Sequence, residues 1–302
     1  MRSGTSLLYS LLNQHPAIAL MYESDILCGP LSCSRAADSR WLSRSELWNK
    51  TLSRHFGEHW PEALPGIRGA RDLYRAYAAP KGAMVCGEKS PSYCTRLPWI
   101  GRRFPDARFL ILRRDLGEIY GSVRDAGSAD RWFARRGTFC RMLRQQEALT
   151  RGARKLEGQG TRVHTIDYAL LVGETEKTMR GVCQFLGLEF DPKMASLSGA
   201  DFSPIYDAPH HEHLRGMDIR RREKAAIEDP KVRDRIGRFQ ARSTRLSGSR
   251  DGEAGGATEP SFAERALYYT AGGFFLAVDQ AVRCIYEAAP VGLLTRYRNL
   301  RG

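Results

Sequence analysis

The chain has 302 residues, of which 42% are hydrophobic, enough for one sizeable core with a small appendage. Lys and Arg outnumber Asp and Glu by 47 to 34, so the formal charge is +13 and an anionic partner is expected. Because the basic residues are scattered among acidic ones, the charge fits an anionic small molecule or a membrane surface as well as a polynucleotide.

Strand and helix patterns alternate along the chain. Helical periodicity covers Thr5 to Asn13, Leu116 to Arg124, Trp132 to Leu156 and Thr175 to Leu186. Three apolar runs are typical of buried strands: Ala83 to Cys86, Arg108 to Leu112 and Arg162 to Ile166. Strand followed by helix, repeated, predicts an α/β fold with a central parallel sheet that is covered on both faces.

The last third of the chain changes in composition. Residues 247–261 are rich in Gly, Ser and Glu, which predicts a flexible linker between a main domain at 1–246 and a helical C-terminal tail at 262–302. The tail combines aromatic residues with arginines near its end. We expect it to dock on the domain or on a partner chain, and the alternative is peripheral contact with a membrane surface.

The strongest local signal is the segment Arg2-Ser3-Gly4-Thr5-Ser6, a turn of small residues that leads directly into an apolar helix. A helix N-terminus presents backbone N–H groups and a partial positive charge, Gly4 permits close approach of the backbone, and Arg2 adds a forked cation. The segment therefore predicts an anion-binding loop. The alternative is an ordinary capped helix, since Ser and Thr are common caps.

A second basic position ends the strand at residues 108–112. Arg113 and Arg114 follow this strand, and Ser122 lies eight residues after Arg114 on the next predicted helix. Ligands of open parallel sheets bind at the strand ends, so Arg114 and Ser122 are candidates for a second phosphate site. The alternative is a surface arginine pair with a serine on the helix.

Three further charged residues are candidates for chemistry. Glu23 follows Pro16 by seven residues, in a Tyr-Glu-Ser-Asp segment. Glu88 and Lys89 follow the first predicted strand, which places them at the edge of the sheet where ligands bind. The alternatives are a solvated loop carboxylate for Glu23 and, for Glu88, an ion pair with Lys89 or Arg114.

No metal site is expected. The seven cysteines have no paired Cys-x-x-Cys spacing, and His210, His211 and His213 lack helical ligand spacing, so we assign them to a lid or an acceptor pocket. Residues 1–20 lack the features of a secretory signal, which favours a cytoplasmic location.

Taken in order over residues 1–200, these motifs resemble the sulfotransferases that use 3′-phosphoadenosine 5′-phosphosulfate (PAPS). The loop with His15-Pro16 after its helix resembles the 5′-phosphosulfate loop of the tyrosylprotein and many bacterial sulfotransferases. Arg114-Asp115 with Ser122 resembles their 3′-phosphate motif, although Leu116 replaces the usual proline. The resemblance implies a P-loop-like three-layer sandwich, PAPS as co-substrate and no metal. The residues that it implies for PAPS are Arg2, Ser3, Gly4, Thr5, Ser6, Arg114 and Ser122.

The resemblance also implies catalytic roles. Glu23 lies where the tyrosylprotein sulfotransferases carry their catalytic glutamate, and Lys89 resembles the lysine that neutralises the transferring group. Glu88 resembles the proposed base of the heparan N-sulfotransferases, so Glu23 and Glu88 compete for one role, with Glu23 ranked first. Arg2 is expected to stabilise charge on the sulfuryl group. The segment at Tyr168 resembles the Tyr-Glu-Asp-Leu of the superfamily and is expected to be structural, packing a helix beside the nucleotide site. The alternative is that Tyr168 approaches the adenine.

Two other functions fit parts of the pattern. A P-loop-type small-molecule kinase is disfavoured because no Gly-Lys-Ser/Thr triplet closes the loop, and a non-enzymatic anion-binding module is disfavoured by the paired phosphate sites. The acceptor is an unknown hydroxyl or amine, and we expect no nucleic-acid partner. Because only Met1 precedes Arg2, the first strand of the sheet has no sequence to form it, and we expect an apolar segment upstream in the natural chain.

Overall fold

The computed structural model describes residues 3–28, 46–57, 60, 69–129, 136–205, 216, 219, 227–247 and 259–288. The chain divides into two units. The first unit consists of Met1–Leu8, Cys94–Ser198 and Asp207–Leu276, and the second of Tyr9–Tyr93, Gly199–Tyr206 and Ala277–Gly302.

Helices and strands alternate along most of the described chain. The strands are β1 (Ile18–Tyr22), β2 (Val85–Lys89), β3 (Arg108–Arg113) and β4 (Arg162–Asp167). The α-helices are α1 (Thr5–Leu12), α2 (Glu46–Phe56), α3 (Ala70–Ala78), α4 (Leu97–Arg103), α5 (Leu116–Ala129), α6 (Arg136–Gly158), α7 (Tyr168–Gly173), α8 (Thr175–Leu186), α9 (Pro230–Ser247) and α10 (Phe262–Ala288). Short 3-10 turns cover Ala79–Lys81, Pro91–Thr95 and Pro192–Ala195.

In the first unit, β3 and β4 form a parallel pair in which Arg108 lies opposite Arg162 and Arg113 opposite Asp167. An apolar cluster packs on this pair: Ile111 from β3 meets Leu97 of α4 and Leu156 of α6. The parallel pairing brings the carboxyl ends of both strands to one edge. The residues that follow them, Arg114 and Tyr168, therefore lie at the same edge.

A second apolar cluster of the first unit joins four helices. Its buried members come from α5, α6 and α9, and Tyr268 and Tyr269 of α10 pack against it. Their apolar residues recur at three- and four-residue spacing, the pattern of a helix with one buried face. The cluster fixes α5, and with it the start of that helix next to Arg114.

In the second unit, β1 and β2 form another parallel pair, with Ile18 opposite Val85 and Tyr22 opposite Lys89. Asn13, just past α1, binds both backbone groups of Leu20: its amide nitrogen donates to the carbonyl at 3.0 Å and its oxygen accepts from the N–H at 2.8 Å. This side chain thus acts as a short additional strand partner for β1.

The predicted α/β fold with parallel strands is confirmed, and its described strands form two pairs, one in each unit. The helix predicted at Thr175 to Leu186 has those bounds, whereas the strand predicted at Ala83 to Cys86 runs from Val85 to Lys89. The strand β1 and the helices α2, α3, α4 and α9 were not predicted. The helix predicted from Trp132 begins at Arg136, and residues 130–135 lie outside the described chain. The expected upstream strand, most of the linker and residues 289–302 also lie outside the described chain.

Candidate active site

The predicted anion-binding loop turns at Gly4, which has a φ of +91°, in the region that favours glycine. The Gly4 carbonyl accepts the N–H of Leu8 at 3.2 Å, so the first turn of α1 starts at this residue. A Cβ at position 4 would overlap the ring of Tyr168. A glycine is therefore required at position 4 for two reasons: the positive φ angle, and the space that the Tyr168 ring occupies where a Cβ would lie. Arg2, the cation predicted for this loop, lies outside the described residues.

Arg114 contacts the same tyrosine, Tyr168. Its guanidinium carbon is 4.0 Å from the centroid of the Tyr168 ring, and its Nε donates to Glu118 at 2.9 Å. The Arg114 side chain is only 6% exposed, so it is held between an aromatic face and a carboxylate. Tyr168 thus touches both predicted phosphate-binding positions, Gly4 and Arg114, and the structure brings these two together within the first unit.

The start of α5 shows how the chain tolerates Leu116 in place of proline. The Asp115 carboxylate accepts the N–H of Glu118 at 3.0 Å and so caps the helix. Leu116 has an N–H that proline would lack, and this group donates to Gln240 Oε1 at 3.0 Å. The departure from the family motif therefore leaves no unsatisfied backbone donor at this position. Ser122, the second residue predicted to bind this phosphate, is buried on α5, six residues after the first residue of the helix.

In the second unit, the carboxyl ends of β1 and β2 bring a carboxylate and an ammonium together. Glu23 directly follows β1, its N–H donates to the Lys89 carbonyl at 2.9 Å, and its Oε1 forms an ion pair with Lys89 Nζ. Lys89 Nζ also lies 3.7 Å from the centroid of the Tyr22 ring. The Lys89 side chain is 9% exposed and that of Glu23 27%, so the carboxylate is the part that solvent reaches.

Burial lowers the pKa of the Lys89 ammonium, and the carboxylate of Glu23 opposes that shift. The ammonium of Lys89 forms a charge-assisted contact with Glu23, and an oxyanion of a ligand is a partner of the same kind. This pair therefore offers a base and a cation at one point.

Glu88 has a different environment although it neighbours Lys89. Its Oε1 accepts the N–H of Asp25, and its Oε2 accepts the hydroxyls of Tyr74 and Tyr93, both at 2.7 Å. Burial, and next the charge of Asp25, raises the pKa of Glu88 to about 7. Three donors thus occupy the two oxygens of a carboxyl group that is enclosed by aromatic rings.

The loop between Glu23 and Asp25 is strained. Glu23 has a φ of +45° and Asp25 a φ of +55°, angles that non-glycine residues rarely adopt. The Asp25 carboxylate accepts the hydroxyls of Ser90 and Ser92, the latter at 3.2 Å, while the Asp25 N–H is bound by Glu88. The contacts of Asp25 hold the loop in this conformation and so fix where the Glu23 side chain starts.

A histidine supports the same strand end from α2. His55 Nε2 accepts the N–H of Tyr22 at 3.0 Å, and Nδ1 lies 2.8 Å from the carbonyl of Thr51. Since a carbonyl only accepts, Nδ1 carries the proton and the ring is neutral. Burial lowers the pKa of His55 to about 4, so it stays neutral at physiological pH.

Comparison with known proteins decides the family. The family model described as "Sulfotransferase family" matches residues 1–192, which include Gly4, Glu23, Glu88, Lys89 and Arg114. The chain belongs to the sulfotransferase family. A comparison with curated proteins gave no match.

Solved structures with the same fold are also sulfotransferase domains. The sulfotransferase domain from the Synechococcus PCC 7002 olefin synthase is 20% identical, with a TM-score of 0.53, and the likeness covers 82% of this chain and 90% of that one. The sulfotransferase domain from the curacin biosynthetic pathway is 14% identical, with a TM-score of 0.57, and the likeness covers 82% and 94% of the two chains. At these identities the likeness shows the fold.

Several residues that support the site of this sulfotransferase were not predicted from its sequence. Asp25 and His55 hold the segment that carries Glu23, and Tyr74 and Tyr93 hold Glu88, which binds Asp25. Lys89 and Arg114 form ion pairs with Glu23 and Glu118, and Glu88 accepts hydrogen bonds from Asp25, Tyr74 and Tyr93. Recognising Ile18 to Tyr22 as a strand would have revealed Asp25, because it would have put this loop beside the Ser90–Ser92 segment at one sheet edge.

Within the described residues, no group of His, Cys, Asp and Glu could hold a metal ion. The three histidines at positions 210, 211 and 213, and the arginines at 220 to 222, lie outside the described chain. Tyr168 contacts Gly4 of the predicted anion-binding loop and the guanidinium of Arg114.

Proposed function

We propose that this sulfotransferase uses PAPS as its donor and transfers the sulfuryl group directly to a hydroxyl or amine acceptor. The observation that carries the proposal is the pair of Glu23 and Lys89 at the ends of two parallel strands. Sulfuryl transfer requires a base for the acceptor proton and a cation for the departing oxygen, and this pair supplies one of each.

The donor side of the proposal is supported by the first unit. The loop at Gly4 begins a helix, whose N-terminus favours oxyanions, and Arg114 supplies a forked guanidinium. We assign the 5′-phosphosulfate to Arg2 and the Ser3–Ser6 loop, and the 3′-phosphate to Arg114 and Ser122. A phosphate that binds Arg114 would either replace Glu118 as the acceptor of the Nε–H group or accept from the terminal N–H groups of the guanidinium.

In the proposed reaction, Glu23 accepts the proton of the acceptor hydroxyl or amine as that atom forms a bond to sulfur. The bond between sulfur and the bridging oxygen of the 5′-phosphate breaks, and its electron pair leaves with 3′-phosphoadenosine 5′-phosphate. Lys89 turns from Glu23 to the bridging oxygen, which stabilises the charge there and leaves the Glu23 oxygen open to the proton.

Glu88 is assigned a different role from Glu23. Its two oxygens hold Asp25, Tyr74 and Tyr93, and taking up an acceptor proton would compete with those hydrogen bonds. Glu23 is also the more accessible carboxylate, with 27% of its side chain exposed. We therefore propose Glu23 as the general base and Glu88 as a positioning residue for the loop that carries it.

The test separates the three candidate functions by nucleotide titration. Calorimetry of the whole chain should show binding of 3′-phosphoadenosine 5′-phosphate in preference to ATP. A preference for ATP would favour the kinase, and binding of neither nucleotide would favour the non-enzymatic module. Arg114→Ala should weaken binding of 3′-phosphoadenosine 5′-phosphate by about tenfold or more, because a charge-assisted contact is lost.

The base is tested by turnover once an acceptor has been identified by a labelled-sulfate screen. Glu23→Gln should lower kcat at least about 100-fold, the lower range for a general base, with nucleotide affinity unchanged. The matched control is Glu174→Gln, since Glu174 also pairs with a lysine, Lys177, but lies in an exposed helical pair. A Glu23→Gln rate within tenfold of the parent would contradict this assignment.

A further inference from the structure

The charge of Arg114 is balanced by a carboxylate of its own chain. Arg114 Nε donates to Glu118 Oε2 at 2.9 Å, and the two side chains are 6% and 16% exposed. The ring of Tyr168 covers one face of the same guanidinium, with its centroid 4.0 Å from the guanidinium carbon. Glu118 therefore lies in contact with the cation to which the 3′-phosphate is assigned, in surroundings where water and salt screen charges little.

Other groups cap the start of α5, the helix that carries Glu118. The backbone N–H of Glu118 donates to the carboxylate of Asp115 at 3.0 Å, and the N–H of Leu116 donates to Gln240 at 3.0 Å. A carboxylate in the first turn is favoured by the helix dipole wherever its side chain points. The Glu118 side chain turns back to Arg114, four residues earlier, so its charge acts on the cation as well as on the helix.

A carboxylate in this position opposes the binding of a second anion to the same cation. A phosphate on Arg114 either replaces Glu118 at Nε or binds beside it. In the first case the ion pair is lost, and in the second case two anions share one guanidinium, so both lower the net gain from binding. A nucleotide without a 3′-phosphate incurs neither cost. The effect of Glu118 is therefore confined to the part of the affinity that the 3′-phosphate contributes.

We propose that Glu118 is an intramolecular competitor of the 3′-phosphate for Arg114, and that it limits the affinity of this sulfotransferase for its nucleotide. The inference rests on the proposed function, because it takes the 3′-phosphate to bind at Arg114. The donor and the nucleotide product carry the same 3′-phosphate, so a competitor that weakens this contact also shortens the time for which the product stays bound. Glu118 belongs to the same chain, so it is available to pair with Arg114 again at every product release.

The test is calorimetric titration of the whole chain with 3′-phosphoadenosine 5′-phosphate and with adenosine 5′-phosphate. The ratio of the two affinities isolates the contribution of the 3′-phosphate. Glu118→Gln removes the charge and keeps an oxygen that can accept from Arg114 Nε, so this ratio should rise about tenfold or more. Glu118→Asp keeps the charge, and its ratio should stay within about threefold of the parent value. A general disturbance of the fold would weaken both nucleotides alike and leave the ratio unchanged.

Glu176→Gln is the matched control, because Glu176 forms an Arg–Glu pair of the same four-residue spacing with Arg180, but both side chains are 58% exposed. Its ratio should equal that of the parent. An unchanged or lower ratio for Glu118→Gln would overturn the inference, and so would an equal rise for Glu118→Asp.

Failure of the proposed function has a different signature. A parent chain that does not prefer 3′-phosphoadenosine 5′-phosphate to adenosine 5′-phosphate would contradict the proposed donor site, and the inference would fall with it. The same holds if Arg114→Ala keeps the preference of the parent, because the 3′-phosphate would then bind elsewhere. A preference that Arg114→Ala removes and Glu118→Gln leaves unchanged would support the donor site and reject only the role of Glu118.

Discussion

Replacing Glu88 by Gln should remove from this sulfotransferase a pH dependence of stability that runs in an unusual direction for a carboxyl group. Glu88 has a pKa raised to about 7 from an ordinary 4.5, first because it is buried and then because Asp25 is near. A carboxyl whose folded pKa lies above its unfolded one contributes stability that is fully present below the unfolded value. That contribution is lost as the pH rises through the folded value.

The magnitude follows from the two pKa values. A folded pKa of about 7 against 4.5 corresponds to about 3 kcal/mol between pH 4.5 and pH 8. Glutamine is uncharged at every pH and has nearly the shape of the protonated acid. The free energy of unfolding of Glu88→Gln, minus that of the parent, should therefore increase by about 3 kcal/mol over this range.

The assay is chemical unfolding of both proteins at several pH values, followed by intrinsic fluorescence at one temperature. Glu176→Gln is the control, because Glu176 is an exposed partner of Arg180 and its replacement should give a flat difference. A flat difference for Glu88→Gln would refute the raised pKa. A decreasing difference would mean that the hydrogen bonds from Asp25, Tyr74 and Tyr93 stabilise the carboxylate more than burial destabilises it.

Two further substitutions test the supports of the site. His55→Asn removes a histidine whose pKa is lowered to about 4, so the stability advantage of the parent should shrink by about 3 kcal/mol as the pH falls from 6.5 to 4, measured by the same unfolding assay. Gly4→Ala should destabilise the chain by at least about 1 kcal/mol more than Gly160→Ala, because Gly160 has a φ of +74° but no neighbour within 4 Å, whereas Gly4 also meets Tyr168. Equal losses for the two alanine variants would remove the argument that the ring requires a glycine.

Sequence patterns predicted the elements that follow ordinary periodicity. The strand β3 was found because its apolar run is bounded by turn residues, and α8 because Met179, Val182 and Leu186 recur at three- and four-residue spacing. The strand at Val85–Lys89 was predicted too short, because its last residues, Glu88 and Lys89, are charged. A strand that ends in functional charges does not match the apolar pattern by which strands are recognised.

The missed elements have related causes. The strand β1 has five apolar residues directly after a helix and a His-Pro pair, a run too short to distinguish a strand from the end of a helix. The helix α9 has six Lys and Arg residues among its 18 positions, which hides the spacing of Ile236 and Phe239. In both cases, packing against the rest of the chain supplies the stability that local pattern does not reveal.

The candidate site was predictable at its reacting residues but not at their supports. Glu23, Lys89 and Glu88 were all named from the sequence, and the structure brings them to one edge of the β1–β2 pair. Their division into an exposed carboxylate and an enclosed one depends on Tyr74 and Tyr93, which come from a helix and a turn with no local motif. Contacts between distant residues of this kind cannot be read from spacing along the chain.

The loop that carries Glu23 shows why the enclosed carboxyl belongs to the site at all. Left-handed conformations at Glu23 and Asp25 cost on the order of 1–3 kcal/mol each, and an isolated loop would relax from them. Asp25 cannot relax while Glu88 holds its N–H and two serines hold its carboxylate. The raised pKa of Glu88 beside this loop lowers the free energy of unfolding at neutral pH. The hydrogen bond from Asp25 to Glu88 fixes the position from which the Glu23 side chain starts. Stability is therefore reduced at Glu88 in order to maintain the geometry of Glu23.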